Sequence, residues 1–203
     1  MMASIRSQFG HPHGVMGQIV GWILAMENQE RIAWAVQQLD LQPSDSVLEI
    51  GFGPGLGIQQ ALAQVPQGSV AGVDISEVMV AQARRRNAAE VQAGRVDLRQ
   101  GSADHLPFGD GSFEKVFAIN SLHIWPDAQA GLREVQRVLK PGGLAAMIEQ
   151  PPRRVTEEAV MQQRGAAIVE DLQQAGFTSV RPIYASLKRG WAVCVLGRIG
   201  SFG

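Results

Sequence analysis

The stretch Ser46–Gly57, SVLEIGFGPGLG, decides the fold. Its first five residues are a short apolar run of strand character, and a loop follows with glycine at every second position: Gly51, Gly53, Gly55 and Gly57. Glycines placed so let a backbone take positive φ and let another group approach the main chain closely. The spacing is not the dinucleotide fingerprint G-x-G-x-x-G: the sixth position counted from Gly51 is Leu56, and from Gly53 it is Ile58. The Lys-Ser/Thr pair of a triphosphate-binding loop is also missing. What remains is E-x-G-x-G-x-G starting at Glu49, a loop suited to a nucleoside that carries no phosphate. The plain alternative is a tight turn that serves only strand–helix packing.

Outward from this loop the chain alternates. Apolar runs at Val47–Ile50, Ser69–Val73, Val96–Gln100, Lys115–Ile119 and Leu144–Glu149 predict strands. Helical patterns fall near Leu56–Gln64, Glu77–Ala89 and Ala128–Leu139, with Ser76 placed to cap the second and KPGG (Lys140–Gly143) to stop the third. Such alternation predicts a doubly wound parallel sheet covered on both faces. A further helix over about Thr156–Ala175 precedes two strand-like segments, Ser179–Ala185 and Trp191–Ile199. The link SLKRG is too short for a parallel crossover, so these two form a hairpin and one strand runs antiparallel to the rest.

The N-terminal region, residues 1–42, reads as helical. Met16, Ile19, Val20 and Ile23 share a helix face, Gly17 and Gly21 lie a turn apart, and Trp22 and Met26 offer an apolar wall. A membrane-surface helix is the competing reading, but the Lys/Arg-rich polar face is absent. Residues 43–150 would hold the ligand-binding core and 151–203 the last helix and hairpin, all in one domain of 203 residues.

Composition narrows the class. The net charge of −1 and the lack of a basic stripe speak against nucleic acid as partner. Cys194 is the single cysteine, which excludes a disulfide framework and points to a reducing, cytoplasmic setting. No apolar run is long enough to span a bilayer, which leaves peripheral contact open. His11 and His13 in FGHPHG lack a third metal ligand, and a turn at Pro12 accounts for them; no metal is expected.

Three further features face the glycine loop in a doubly wound sheet. Asp74 ends the second strand, where a carboxylate accepts from both hydroxyls of a ribose. Ser102 and Ala103 follow the third strand, and Asn120 to His123 follow the fourth.

With these residues the chain resembles the class I S-adenosylmethionine-dependent methyltransferases, and among them the small-molecule type 11 group that includes ubiquinone/menaquinone C-methyltransferases. The likeness rests on VLEIGFGPG (47–55), VAGVDISEVMVAQARRR (70–86), GSADHLPF (101–108), FEKVFAINSLHIWPD (113–127) and REVQRVLKPGG (133–143). It implies a seven-stranded sheet whose cleft is closed by an N-terminal helical lid, residues 1–42, and S-adenosylmethionine as cofactor, with S-adenosylhomocysteine as product. Cofactor binding would fall to Glu49, Gly51, Gly53 and Gly55, to Asp74 on the ribose and Ile75 on the adenine, to Ser102 and Ala103 at the adenine edge, and to Asn120 through its backbone. The family often carries Asp at the position of Ser102; Asp104 is the substitute within reach.

Methyl transfer from a sulfonium releases a neutral thioether, so alignment and exclusion of water matter more than acid catalysis. A base is needed only for a hydroxyl or acidic-carbon acceptor, and His123 is the candidate; shaping its own loop is the alternative. Trp22, Met26, Trp125 and Arg153 are candidates for the wall of the acceptor pocket. Arg153 and Arg154, in the loop Glu149–Glu158, fit an acidic acceptor or a solvated face. The expected acceptor is a small, apolar or aromatic metabolite. A cofactor-binding regulatory protein without turnover, and an NAD-type dehydrogenase, are the competing functions.

Overall fold

The computed structural model describes residues 29–151 and 157–200. The expected strands form one seven-stranded sheet in the order β3-β2-β1-β4-β5-β7-β6. The strands are β1 (Ser46–Ile50), β2 (Ser69–Asp74), β3 (Val96–Gln100), β4 (Phe113–Ile119), β5 (Leu139–Glu149), β6 (Thr178–Leu187) and β7 (Gly190–Arg198). The first five are parallel; β7 pairs antiparallel with both β5 and β6. Only Lys188 and Arg189 separate β6 from β7, so the hairpin is tighter and its strands longer than the sequence suggests. Pro182 is tolerated in β6 because that strand is an edge.

Helices α1 (Gln29–Gln37), α2 (Leu56–Leu62), α3 (Glu77–Arg86), α4 (Ala88–Gln92), α5 (Ala128–Val138) and α6 (Glu158–Gln174) flank the sheet. β1 is buried from Val47 to Ile50, as a strand covered on both sides must be. Its alternate residues enter two separate cores. Leu48 and Ile50 join Leu132 and Val135 of α5 and Ile168 and Leu172 of α6. Val47 joins Val36 of α1, Ile58 of α2 and Val80 and Ala83 of α3. Glu49 therefore points toward the face that α2 covers, a direction that matters below.

Two helix boundaries differ from the sequence reading. The segment expected as one helix over Glu77–Ala89 breaks at Asn87, whose Nδ2 donates to the Ala83 carbonyl (2.9 Å) and the Gly55 carbonyl (3.4 Å). That amide ties α3 to the glycine loop at the cost of helical continuity. KPGG does not stop α5: the helix already ends at Val138, Leu139 is extended and pairs with Phe113, and Pro141 and Gly142 make an irregularity inside β5. Ser76 caps α3 as expected, its Oγ accepting from the Met79 N–H (3.4 Å). Of the region expected as a lid, residues 1–42, the first 28, with His11, His13, Gly17, Gly21, Trp22 and Met26, lie outside the described residues, as do Arg153 and Arg154.

Candidate active site

Strand order reverses between β1 and β4, and in an open α/β sheet the crevice at that switch point is where ligands bind. The glycine loop leaves β1 at this place. Phe52 fastens it: the ring is buried over Gly72 of β2, where an added Cβ would lie 2.5 Å from Cδ1.

Three of the four missing side chains make room for the protein itself. A Cβ on Gly51 would lie 2.5 Å from the Cβ of Ser121, whose Oγ donates to the Ile50 carbonyl (2.7 Å). One on Gly55 would lie 2.7 Å from the Cβ of Ala83, and one on Gly57 would lie 2.2 Å from Oε1 of Glu49. Gly53 differs. Nothing stands within 4 Å of its missing Cβ, and its φ of +52° is a conformation other residues seldom adopt. Packing thus accounts for three of the four glycines, and Gly53 is the one that leaves open space.

Asp74 is buried at the tip of β2. Its Oδ2 accepts from the Gly53 N–H (2.8 Å) and its Oδ1 from the Ser76 N–H (2.9 Å). Each oxygen keeps further acceptor capacity. Burial raises the pKa of this carboxyl, while the two N–H donors pull it back; the net direction is upward. Ile75, next in sequence, is 53% exposed, unusual for a large apolar side chain beside such a cleft.

Glu49 lies behind the loop. Its carboxyl fills the space that Gly57 leaves, and Oε2 is buried without a hydrogen-bond partner. Burial, then the negative charge of Asp74, push its pKa well above the usual carboxylate range; the Ile58 N–H opposes them. An unpaired buried carboxyl is costly unless protonated or met by a donor. Because the folded value exceeds the unfolded one, the contribution of Glu49 to the stability of the ligand-free protein is most favourable below the ordinary carboxylate range. That contribution is lost as pH rises from there through the raised value. Relative to wild type, Glu49→Gln is expected to gain stability as pH rises from about 4 to about 8, read by denaturant melts at several pH values. Parallel pH profiles for the two proteins would rule out an ordinary unfolded-state Glu49 that is raised on folding.

Around β3 and β4, Ala103 is buried and the Ser102 Oγ is buried without a partner. Asp104 is partly exposed. Arg137 of α5 holds this loop, donating to the carbonyls of Leu106 (3.0 Å) and Phe108 (2.7 Å) while paired with Glu134 and Asp110. Asn120 adopts φ +53°. Its side chain is taken up by Gln150, with Nδ2 donating to the Gln150 carbonyl and Oδ1 accepting from the Gln150 N–H, both at 2.7 Å. Only the Asn120 backbone is left to face the cleft. Trp125 is turned against α5, where a Cβ on Gly131 would lie 2.5 Å from its ring, and its indole N–H is buried without a partner.

His123, in the 3-10 turn Leu122–Ile124, has a neighbour that sequence reasoning missed: its Nδ1 lies 3.5 Å from Oε1 of Glu149 at the end of β5. Arg31 of α1 was missed as well. It is buried beside the same strand end, with Nη1 donating to the Gln150 carbonyl at 3.4 Å and Nε unpaired. Burial, then the nearby positive charge of Arg189, push its pKa down to about 10. Nothing in a helix-face pattern marks a buried arginine, whereas Glu149 at a strand tip in the cleft was a readable signal.

A groove of about 510 Å³, bordered by Asp110, Arg137, Leu139, Pro141 and Ile199, opens at the start of β5 and the end of β7, away from the glycine loop. It gathers none of the candidate cofactor-site residues at the strand tips.

The residues at the tips of β1 and β2 fit an adenosine-type group. An acceptor carboxylate, a bare backbone face at Gly53 and an exposed apolar side chain meet there. Residues 47–143 match the methyltransferase-domain family. The chain is 34% identical over 180 residues to the uncharacterized methyltransferase YdaC of Bacillus subtilis, covering 89% of this chain and 97% of that one. It is 34% identical over 116 residues to a demethylmenaquinone methyltransferase of Desulfitobacterium hafniense, covering 57% of this chain and 46% of the relative, so it spans about half of that protein. The solved structure of a SAM-dependent methyltransferase from Aquifex aeolicus superposes with a TM-score of 0.69 at 20% identity, covering 87% of this chain and 96% of that one. Among the described residues no helix is long and apolar enough to cross a membrane. Fold, loop and sequence agree: the chain belongs to the class I S-adenosylmethionine-dependent methyltransferases.

Proposed function

We propose that the chain transfers a methyl group to a small, apolar or aromatic metabolite, with adenosine bound across the tips of β1 and β2. The observation that carries this is the Asp74 carboxylate, buried and held by the Gly53 and Ser76 N–H groups at the edge of the one stretch of glycine loop that is open. When bound, S-adenosylmethionine supplies an electrophilic methyl on a sulfonium. In this reading Asp74 accepts from the ribose hydroxyls and Ile75 covers one adenine face. Ser102, with Ala103 beside it, offers its orphaned hydroxyl to the adenine edge. Gly51 and Gly53 line the amino-acid arm through their backbones, Asn120 borders it through its own, and Glu49 is the counter-charge within reach of a cationic end group. Trp22, Met26, Trp125 and Arg153 remain proposed neighbours of the acceptor. The partial match to quinone methyltransferases favours an aromatic, apolar acceptor.

Calorimetry with S-adenosylhomocysteine tests the cofactor half of the reading. Incubation of the full chain with methyl-¹³C donor and a small-molecule extract of the source cells tests the other half. A new ¹³C-methyl resonance on a metabolite is expected. Cofactor binding with no transfer to any component of the extract would favour a regulatory binding protein.

A further inference from the structure

Three side chains from separate elements meet where β4 and β5 end. His123 comes from the turn after β4, Glu149 from the last residue of β5 and Arg164 from α6. Nδ1 of His123 lies 3.5 Å from Oε1 of Glu149, and Nη1 of Arg164 lies 3.0 Å from Oε2. The side chain in the middle is 9% exposed, while the histidine is 55% and the arginine 48% exposed. A buried carboxylate is thus clamped between two cations or donors, one of which opens toward the cleft side of the sheet. Burial raises the pKa of Glu149, but His123 and Arg164 outweigh it and hold the group below its usual value. An ionised carboxylate only accepts, so the imidazole nitrogen facing it carries the hydrogen and the opposite nitrogen is left as the basic one.

We propose that Glu149, fixed by Arg164, is a positioning residue that holds His123 with Nδ1–H on the carboxylate and Nε2 free to take a proton from the methyl acceptor. The proposal rests on the methyl-transfer reading and deepens it by naming the acceptor class: a hydroxyl or an acidic carbon. The acceptor's O–H or C–H proton passes to Nε2 while its electron pair forms the new bond to the methyl carbon. The carbon–sulfur bond breaks with its electron pair staying on sulfur. The imidazolium so formed is paired with Glu149, and its proton leaves to solvent through the exposed ring edge. An amine reacts as its free base and needs no such arrangement. Among the described residues, His123 is paired with Glu149 from β5, which is paired in turn with Arg164 from α6; Asp127, four positions on, caps α5, accepting from the Ala130 N–H at 2.9 Å.

Nuclear magnetic resonance of the ring nitrogens tests this on the full ¹⁵N-labelled chain. The sequence has four histidines, and comparison with His123→Gln assigns the signal. In wild type the neutral ring of His123 is expected as the Nδ1–H tautomer. In Glu149→Gln the tautomer preference is expected to be lost. An Nε2–H or evenly mixed ring in wild type overturns the proposal, even if the variant fails to fold. An unchanged Nδ1–H preference in a folded variant overturns it too. Calorimetry with S-adenosylhomocysteine on the same wild-type sample separates the two claims. Binding with a tautomer that Glu149→Gln leaves unchanged sinks the positioning role alone, whereas absent binding sinks the cofactor reading whatever the ring shows. Transfer of the methyl to an amine nitrogen would contradict the assigned acceptor class.

Discussion

Asp74→Ala is expected to weaken S-adenosylhomocysteine binding about 10- to 150-fold, the equivalent of the 1.5–3 kcal/mol associated with hydrogen bonds to a charged group. Two effects add. The ribose loses its acceptor, and the Gly53 and Ser76 N–H groups lose theirs (2.8 and 2.9 Å), which releases the open part of the loop from its binding shape. Asp74→Asn separates them. Its remaining carbonyl oxygen holds one of the two N–H groups, so it is expected to fall between wild type and alanine. Titration calorimetry checks the series. An affinity unchanged in Asp74→Ala would mean that the sugar is held elsewhere.

Gly57→Ala is expected to destabilise the protein by about 3 kcal/mol, the upper part of the usual range for overpacking a core. The added methyl would sit 2.2 Å from Oε1 and 2.4 Å from Oε2 of Glu49. That carboxyl is buried, which limits how far it can retreat. Gly53→Ala makes the contrast: it meets nothing within 4 Å and costs only backbone strain at φ +52°, about 1 kcal/mol. Chemical denaturation measures both. The double variant Glu49→Ala/Gly57→Ala is expected to be coupled, the second substitution costing far less once the carboxyl is gone. Additive losses would mean that Gly57 makes room for something other than Glu49.

Much of this architecture is legible in the residues. Strand and helix runs are readable because β1, β2 and the Leu144–Glu149 part of β5 are buried on both faces and appear as largely apolar runs, and because SLKRG permits only a hairpin. The antiparallel β7 follows from that one short link. Asn87 was not readable as a break, since its role depends on the Gly55 carbonyl, 32 positions away. The meaning of the four glycines was only half legible. Alternating spacing announces close approach but not by what, and Ser121, Ala83 and Glu49 become the answer only when the sheet brings them beside the loop. Asp74 and Ile75 were placed correctly at a strand tip because a strand's end is a local signal. The His123–Glu149–Arg164 contact joins three segments, and its geometry lies in the fold rather than in any spacing.

A crystal structure of the full chain with S-adenosylhomocysteine tests the central claim most directly. The expected density lies across the tips of β1 and β2, with both ribose hydroxyls on the Asp74 carboxylate and the thioether arm against the Gly51–Gly53 backbone. Density at another place on the sheet, or a ribose turned away from Asp74, would contradict it.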